Sequence, residues 1–287
     1  MQDNEANRSR SAGTDSLFPM QEMREGQREF YLDAKDASEK GLVLLANAPT
    51  GIGKTAAALS AVLESALPAG RKVLFLTNRS SHHLQAVEEI AKMNAARAEA
   101  ISAAKQDGKG RILLVDKIAK ERMCLHRMRN PRESGPLRCE MSRSFCNYSR
   151  PKEGVILEVL ESGLAAAGTN SLCAGKAACP HFAALGAMRN ADVVIADYRY
   201  LFDSGVRNVF FSSSGFTLGN CDVIIDEAHN LPDAVREINS PTIDQDSCRL
   251  ASTGLQLARK LAKKQNDTAL ADSFAVPHRY LRDTLTE

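Results

Sequence analysis

The chain has 287 residues, 44% of them hydrophobic and 25% charged, and its formal net charge is +2. These values are typical of a globular protein with one large domain or two small ones, and they exclude a disordered or fibrous chain. No apolar run approaches the ~20 residues that cross a bilayer, and residues 1–15 are polar and lack the apolar core of a secretory signal. We therefore expect a cytoplasmic protein with no membrane partner, whose seven cysteines are ligands or core residues rather than disulfides.

The N-terminal residues 1–17 are too polar to pack and are predicted to be disordered. The pattern from residue 18 to residue 40 then predicts a helix. Arg24 and Gln27 lie near its start, three residues apart. Because a glutamine amide offers one donor and one acceptor, it can pair with an adenine edge, and these two residues are candidate contacts to a nucleotide base.

A glycine-rich loop carries the strongest signal in the sequence. An apolar segment at residues 42–47 predicts a strand before it, and an alanine-rich segment at residues 56–63 predicts a helix after it. Glycines let backbone N–H groups turn inward around a phosphate, a helix N-terminus and a lysine add positive charge, and a threonine hydroxyl suits Mg²⁺. The sequence therefore predicts a site for a nucleoside triphosphate, formed by Pro49, Thr50, Gly51, Ile52, Gly53, Lys54, Thr55 and Ala56.

Four further apolar segments predict strands, with helices between most of them, at residues 72–77, 111–116, 192–196 and 222–226. This alternation predicts an α/β domain with a parallel, doubly wound sheet. Ligands bind at the carboxyl ends of such strands, so Arg79 and Ser80, which follow the second strand, are candidate phosphate contacts. Ser80 could equally cap the next helix, and the two interpretations are compatible.

Two adjacent carboxylates follow the last predicted strand. Asp226 is placed to hold the Mg²⁺ that bridges the terminal phosphates, and Glu227 to orient and deprotonate the attacking water. His229 could couple the nucleotide state to a ligand bound elsewhere. The alternative is an ordinary helix start, where acidic side chains are favoured. With the glycine-rich loop upstream, the pattern favours a catalytic set of Lys54, Asp226, Glu227 and His229.

An insertion between the third and fourth predicted strands is basic and rich in cysteine. Residues 117–152 hold ten Lys or Arg against three Glu, which predicts a polyanionic partner, with a solvated basic loop as the alternative. Residues 117–183 hold five of the seven cysteines, none of them in a Cys-x-x-Cys pair. Widely spaced thiolates suit an iron–sulfur cluster, which takes four, better than a zinc ribbon. Five unrelated thiols are the alternative.

Five motifs of unrelated chemistry occur in the order found in the XPD/DinG family of superfamily 2 DNA helicases, which the chain resembles over residues 18–237. They are Ala-Pro-Thr-Gly-Ile-Gly-Lys-Thr at 48–55, Met-Cys-Leu-His at 123–126, Ala-Cys-Pro-His-Phe at 178–182, Val-Val-Ile-Ala-Asp-Tyr-Arg-Tyr-Leu-Phe-Asp at 193–203 and Asp-Glu-Ala-His-Asn at 226–230. The resemblance implies a RecA-like P-loop domain that binds ATP and Mg²⁺ and is interrupted by a [4Fe–4S] insertion, partly helical and partly irregular. It implies Cys173 as a spare thiol and cluster ligands at Cys124, Cys139, Cys146 and Cys179.

The same resemblance implies contacts to single-stranded or forked DNA, and association with the nucleoid in a bacterium. Arg79 and Ser80 correspond to a strand-contacting motif, and Lys120 to a basic residue four before the first cluster ligand. Tyr198 and Tyr200 correspond to the lining of the DNA path, where an aromatic ring could stack on a base.

On this resemblance, residues 18–116 and 184–240 form the first RecA-like domain, residues 117–183 the cluster insertion, and residues 241–287 the helical start of an arch-like domain. Full members continue into a second RecA-like domain that closes over the nucleotide. We therefore expect a 5′→3′ ATP-dependent helicase motor that is truncated here, is inactive alone, and needs the second domain in the same chain or in another. The alternatives are a non-catalytic nucleic-acid-binding or regulatory module and an unrelated P-loop phosphotransferase.

Overall fold

The computed structural model of the protein describes residues 17–20, 22–49, 51–104, 110–132, 137, 139, 146–240 and 245–284. The chain divides into two compact units, Met1–Val235 and Arg236–Glu287. The first unit contains a sheet of four strands, β1 (Lys72–Leu76), β2 (Leu114–Lys117), β3 (Val193–Ala196) and β4 (Cys221–Ile225). None of the described helices is long and apolar enough to span a membrane.

Helices precede, separate and follow these strands. In chain order they are α1 (Gln27–Lys40), α2 (Lys54–Ala66), α3 (Ser80–Ala104), α4 (Leu125–Arg129), α5 (Glu153–Ser162), α6 (Ala166–Gly175), α7 (Pro180–Ala187), α8 (Arg199–Phe202), α9 (Ser204–Ser214), α10 (Leu231–Asn239), α11 (Gln245–Lys264), α12 (Thr268–Ser273) and α13 (Ala275–Thr284). Short 3₁₀ turns occupy Met188–Asn190 and Ala228–Asn230. The last three helices belong to the second unit.

The sheet is parallel throughout, in the order β2-β3-β1-β4. In its central register Phe75 lies beside Ile195 on one side and Ile224 on the other. Phe75 and Ile195 belong to a core that β1 and β3 form with helices α2 and α3, while the alternate residues Leu74 and Val194 are equally buried. Both faces of the sheet are therefore covered at its central strands β1 and β3, and the predicted parallel, doubly wound α/β sheet is confirmed.

Helix α2 is central to the packing because small side chains let it approach neighbours closely. Ten of its thirteen residues are buried, and Ala57 and Ala61 pack against helix α1 through Tyr31 and Ala34. On its other side, Leu59 and its neighbours enter the sheet core. The alanine-rich sequence after the loop thus fixes the loop against two layers at once.

A polar network joins α1, α2 and β4 behind the sheet. The Arg71 guanidinium donates to the Asp222 carboxylate at 3.1 Å, to the Ser38 carbonyl at 3.2 Å and to the Ser65 hydroxyl at 3.0 Å. The Ser38 hydroxyl donates to the same carboxylate at 3.0 Å. Because these groups are mostly buried, the network fixes the distance between the helix pair and the outer strand.

The strand predicted at residues 42–47 does not form. These residues have no strand pairing, and Val43 and Leu45 are 92% and 88% exposed. Strand β4 is an edge strand of the sheet, and the described part of the chain offers no strand beside its outer edge. An apolar run becomes a strand only where a neighbour supplies ladder hydrogen bonds, so the pattern alone overpredicted here.

Two other predicted boundaries moved for local reasons. The helix predicted from residue 18 begins at Gln27, since Gly26 before it has a left-handed φ of 76°. Strand β2 begins at Leu114 rather than residue 111, because the side chain of Asn94 takes both backbone groups of Ile112 and the Asp192 carboxylate accepts the N–H of Leu113. Side chains replace the ladder at both backbone groups of Ile112 and at the N–H of Leu113.

Replacing Arg71 by Ala should lower the free energy of unfolding by about 2 kcal/mol, because it leaves the Asp222 carboxylate without its cationic donor. Lys40→Ala is the matched control: it removes a cation from the exposed pair with Asp36, and should cost less than about 0.5 kcal/mol. Urea denaturation of both variants measures the difference. Equal losses would show that the network does not brace the outer strand.

Candidate functional site

The glycine-rich loop turns through two left-handed residues before helix α2. Gly51 has φ +82° and Gly53 has φ +84°, conformations that side chains disfavour. The Lys54 Nζ, on the first residue of the helix, donates to the carbonyl oxygens of Ala48 at 3.0 Å and Pro49 at 3.4 Å. The ammonium group therefore lies across its own loop, next to the N–H groups at the helix N-terminus.

An open pocket of about 360 Å³ lies between this loop and the ends of β1 and β4, a volume suited to a small ligand. Four separate parts of the sequence meet there, and the lining consists of Arg24, Gly51, Gly53, Lys54, Thr55, His82, Gln85, Asp226 and Glu227. Among the other predicted nucleotide contacts, Thr50 lies outside the described residues. Four further predicted contacts are described by the structure but do not line the pocket: Gln27, Pro49, Ile52 and Ala56.

Arg24 and Gln27 contact the loop directly. Arg24 Nη1 donates to the carbonyl oxygen of Gly51 at 2.6 Å, and Gln27 Nε2 donates to that of Gly53 at 3.2 Å. The side-chain Oε1 of Gln27 in turn accepts a hydrogen bond from the backbone N–H of Arg24 at 3.0 Å. Gln27 is buried, so its amide braces the loop from behind, and its role as a reader of a base stays a prediction.

Asp226 and Glu227 continue directly from β4 into the pocket. The backbone N–H of Asp226 donates to the carbonyl oxygen of Leu76 at 2.9 Å, which adds one more rung to the β1–β4 pairing. Burial raises the pKa of Asp226, while the nearby His82 and Lys54 act in the opposite direction. Glu227 has a left-handed φ of 52°, a sparsely populated conformation for a residue with a side chain.

His82 is a pocket residue that the sequence analysis missed. Its Nδ1 lies 3.1 Å from Asp226 Oδ2 and 3.3 Å from the Thr77 hydroxyl. Like Arg79 and Ser80, His82 follows strand β1, so it lies at the carboxyl end of the sheet, where ligands bind. His229, by contrast, is 71% exposed and its Nδ1 lies 3.2 Å from Glu227 Oε2, so its coupling role stays a prediction.

The two predicted DNA-stacking tyrosines are buried. Tyr198 donates its hydroxyl to the carbonyl oxygens of Asp226 and, at 3.2 Å, of Glu227. The Tyr200 hydroxyl donates to the carbonyl oxygen of Ile118 at 3.1 Å. These hydrogen bonds hold both tyrosines in the protein interior. A base could stack on either ring only after the residues that cover it had moved away. Arg79 and Ser80 are exposed at the start of α3.

Four of the five insertion cysteines line one small cavity. They are brought together from three stretches of chain, and the complete lining is Lys120, Cys124, Leu125, Leu137, Cys139, Cys146, Tyr148, Cys179, Pro180 and His181. Cys173 is fully buried outside that lining. All these thiols are free, and the four in the cavity are those that the resemblance selected.

Four cysteine thiols are the donor type and number that a four-iron cluster takes. Within the part of the chain that the structure describes, no three His, Cys, Asp or Glu side chains are placed to hold one metal ion. A four-iron cluster makes a different demand, because each sulfur binds a different iron and the sulfurs stand further apart. The cavity that the thiols line has a volume of about 20 Å³ and is partly open to solvent. Burial raises the pKa of the Cys179 thiol, a cost that iron binding would offset.

A buried lysine joins this cavity to the sheet. Lys117, the last residue of β2, is almost fully buried, and burial lowers its pKa to about 7. Its Nζ donates to the carbonyl oxygen of Ile118 at 2.7 Å and lies 3.1 Å from Nδ1 of His181. Burial also lowers the pKa of His181 to about 3, so the ring is neutral and its Nδ1 accepts from the amine.

Comparison with known families gives two overlapping matches. The DEAD_2 family model matches residues 76–248, which is more than half of the chain. The model of the type III restriction enzyme res subunit matches residues 20–129. The first match includes both the cysteine cavity and the strand-end carboxylates, and the second includes the glycine-rich loop.

Among curated proteins, the chain is 22% identical over 285 residues to the general transcription and DNA repair factor IIH helicase subunit XPD of Schizosaccharomyces pombe, covering 92% of this chain and 36% of that protein. It is 36% identical over 90 residues to the Fanconi anemia group J protein homolog of Gallus gallus, covering 31% of this chain and 7% of that one. The chain thus spans about a third of the first relative and less of the second.

Among solved structures, one titled XPD_Helicase aligns with a TM-score of 0.54 at 20% identity, covering 88% of this chain and 40% of that one. A second, titled Truncated XPD, aligns with a TM-score of 0.51 at 21% identity, covering 78% of this chain and 58% of that one. At these identities the alignments establish a shared fold.

Substituting Gly53 by Ala tests whether Gln27 holds the loop. A Cβ at position 53 would lie 2.4 Å from Gln27 Nε2, whereas a Cβ at Gly51 meets nothing within 4 Å although φ is nearly the same. Both variants carry the backbone strain, but only Gly53→Ala should displace the buried amide and break its hydrogen bonds. We expect it to unfold with a free energy about 1 kcal/mol lower than that of Gly51→Ala. Indistinguishable urea midpoints would remove the bracing role.

Proposed function

Because the chain belongs to the DEAD_2 family, we propose that it is the first motor domain of an ATP-dependent DNA helicase, carrying an iron–sulfur insertion. The observation that carries the proposal is that Lys54, Thr55, Asp226 and Glu227 line the same pocket. A phosphate-binding lysine, a hydroxyl and two strand-end carboxylates form the minimum set for phosphoryl transfer from a nucleoside triphosphate.

The roles of the pocket residues follow from their positions. Thr55 and Asp226 would hold Mg²⁺, which neutralises charge on the terminal phosphates when it is bound. Lys54 would exchange its bonds to the carbonyls of Ala48 and Pro49 for a phosphate, since both acceptors are weaker partners than an anion. Glu227 would orient the attacking water, and the Tyr198 bonds to the carbonyls of residues 226 and 227 hold that turn in place.

The cysteine cavity supports an iron–sulfur centre held by Cys124, Cys139, Cys146 and Cys179. Such a centre would cross-link parts of an insertion that contribute few apolar side chains to the core. The insertion carries exposed basic side chains at Arg122, Arg129, Arg150 and Lys152, and Lys120 lines the cavity itself. A single strand of DNA is the polyanion that suits this surface.

We infer the 5′→3′ direction of the motor, and its preference for single-stranded or forked DNA, from the family resemblance. Hydrolysis and movement would need a second RecA-like domain to close the open side of the pocket, in the same chain or in a partner chain. The residues proposed to contact DNA, Arg79, Ser80 and Lys120, lie on the first motor domain and on the insertion.

Protein purified without oxygen should be brown, absorb broadly near ~400 nm and contain about four irons per chain. Lys54→Ala should abolish binding of a fluorescent ATP analogue without loss of iron, because the lysine and the cavity occupy different parts of the fold. Lys40→Ala, at an exposed lysine on α1, should keep both properties.

Two results would contradict the proposal separately. A colourless protein that holds one zinc would remove the iron–sulfur centre. Undiminished nucleotide binding by Lys54→Ala would remove the phosphate site, whatever the metal content.

A further inference from the structure

The hydroxyl group of Tyr148 is buried without a hydrogen-bond partner among the residues that the structure describes. Tyr148 lies two residues after Cys146 and lines the same cavity as the four thiols. A buried hydroxyl without a partner is destabilising, and native proteins rarely leave one. The described protein atoms thus supply no acceptor for this hydroxyl, and the cavity is the space that Tyr148 lines.

The cavity lining offers few acceptors besides sulfur. Leu125, Leu137 and Pro180 contribute apolar surface, and the Lys120 ammonium can only donate. His181 has its Nδ1 engaged outside the cavity, 3.1 Å from the Lys117 amine. Among the described side chains of the lining, the four sulfurs are the acceptors that best suit this hydroxyl.

The ring of Tyr148 is also held from outside the cavity. The guanidinium of Arg129 lies over the ring, 5.5 Å from its centroid, in a cation–π arrangement. Arg129 ends helix α4, which begins directly after Cys124. Two residues that follow cavity cysteines are thus packed on each other, which restricts the directions in which the hydroxyl can point.

We propose that Tyr148 donates a hydrogen bond from its hydroxyl to a sulfur of the iron–sulfur centre, and so raises the reduction potential of that centre. This inference rests on the proposed function, since it requires the four cysteines to hold iron. A hydrogen bond to sulfur is stronger when the centre carries more negative charge, so it favours the reduced form. Reduction takes one electron from an added reductant such as dithionite, and the proton stays on the tyrosine oxygen.

The test is Tyr148→Phe, which removes one oxygen and keeps the ring. We expect the iron content of the wild type and a ratio of reduced to oxidised centre about tenfold lower at a fixed solution potential, equivalent to about 59 mV for one electron. Potentiometric titration under anaerobic conditions, followed by visible absorption and electron paramagnetic resonance, gives this ratio. Tyr280→Phe, at a ring that is 73% exposed, is the matched control and should leave the potential unchanged.

A second variant keeps the test decisive if Tyr148→Phe does not fold or loses iron. Incorporation of 3-fluorotyrosine at position 148 makes the hydroxyl a stronger donor at nearly the same size, and should raise the potential. An iron-loaded protein whose potential is the same with Phe or 3-fluorotyrosine at position 148 would overturn the inference. A wild-type protein without iron would instead overturn the iron–sulfur part of the proposed function.

Discussion

The pairing of β1 with β4 is the constraint on which the candidate site depends. These strands are distant in sequence, yet their parallel register ends with the Asp226 N–H donating to the Leu76 carbonyl oxygen. Because the two strands end side by side, the carboxylate of Asp226 and the start of α3 reach the same edge of the sheet. His82 then lies against Asp226, and helix α2, packed on the same sheet, presents the glycine-rich loop opposite them.

A second set of contacts connects this pocket to the cysteine cavity. Tyr198 holds the backbone that follows β4, and Tyr200, two residues later, holds the carbonyl oxygen of Ile118 at the entrance to the insertion. The adjacent Lys117 reaches His181, which lines the cavity. The chain at the start of α8 thus contacts both the end of β4 and the start of the insertion. Hydrogen bonds of Tyr198, Tyr200 and Lys117 therefore form a continuous connection between the two sites.

The local motifs were predictable from sequence because each follows from backbone chemistry. Glycines at 51 and 53 need left-handed angles, and the alternation of apolar segments with helical ones specifies a parallel sheet. The four cavity cysteines were selected through the family resemblance rather than through their spacing, which left five candidates.

The features that could not be predicted from the sequence depend on contacts between residues far apart in the chain. Residues 42–47 have the composition of a strand, but pairing needs a neighbour at the outer edge of β4, and composition does not reveal whether one is present. His82 and Tyr148 lie near recognised motifs, yet only the fold shows that one faces a carboxylate and the other a group of thiols. The burial of Tyr198 and Tyr200 was equally invisible, since an aromatic residue at a strand end suits a core as well as a surface.

The central claim is that the loop and the β4 carboxylate form one site for a nucleotide and its metal ion. Electron spin echo spectroscopy of Mn²⁺ bound in place of Mg²⁺ tests it most directly, in the presence of ATP. We expect one Mn²⁺ per chain with magnetic coupling to phosphorus, and much weaker Mn²⁺ binding in Asp226→Asn. Equal binding of Mn²⁺ and ATP to Asp226→Asn would show that the carboxylate stands outside the site, and would contradict the account.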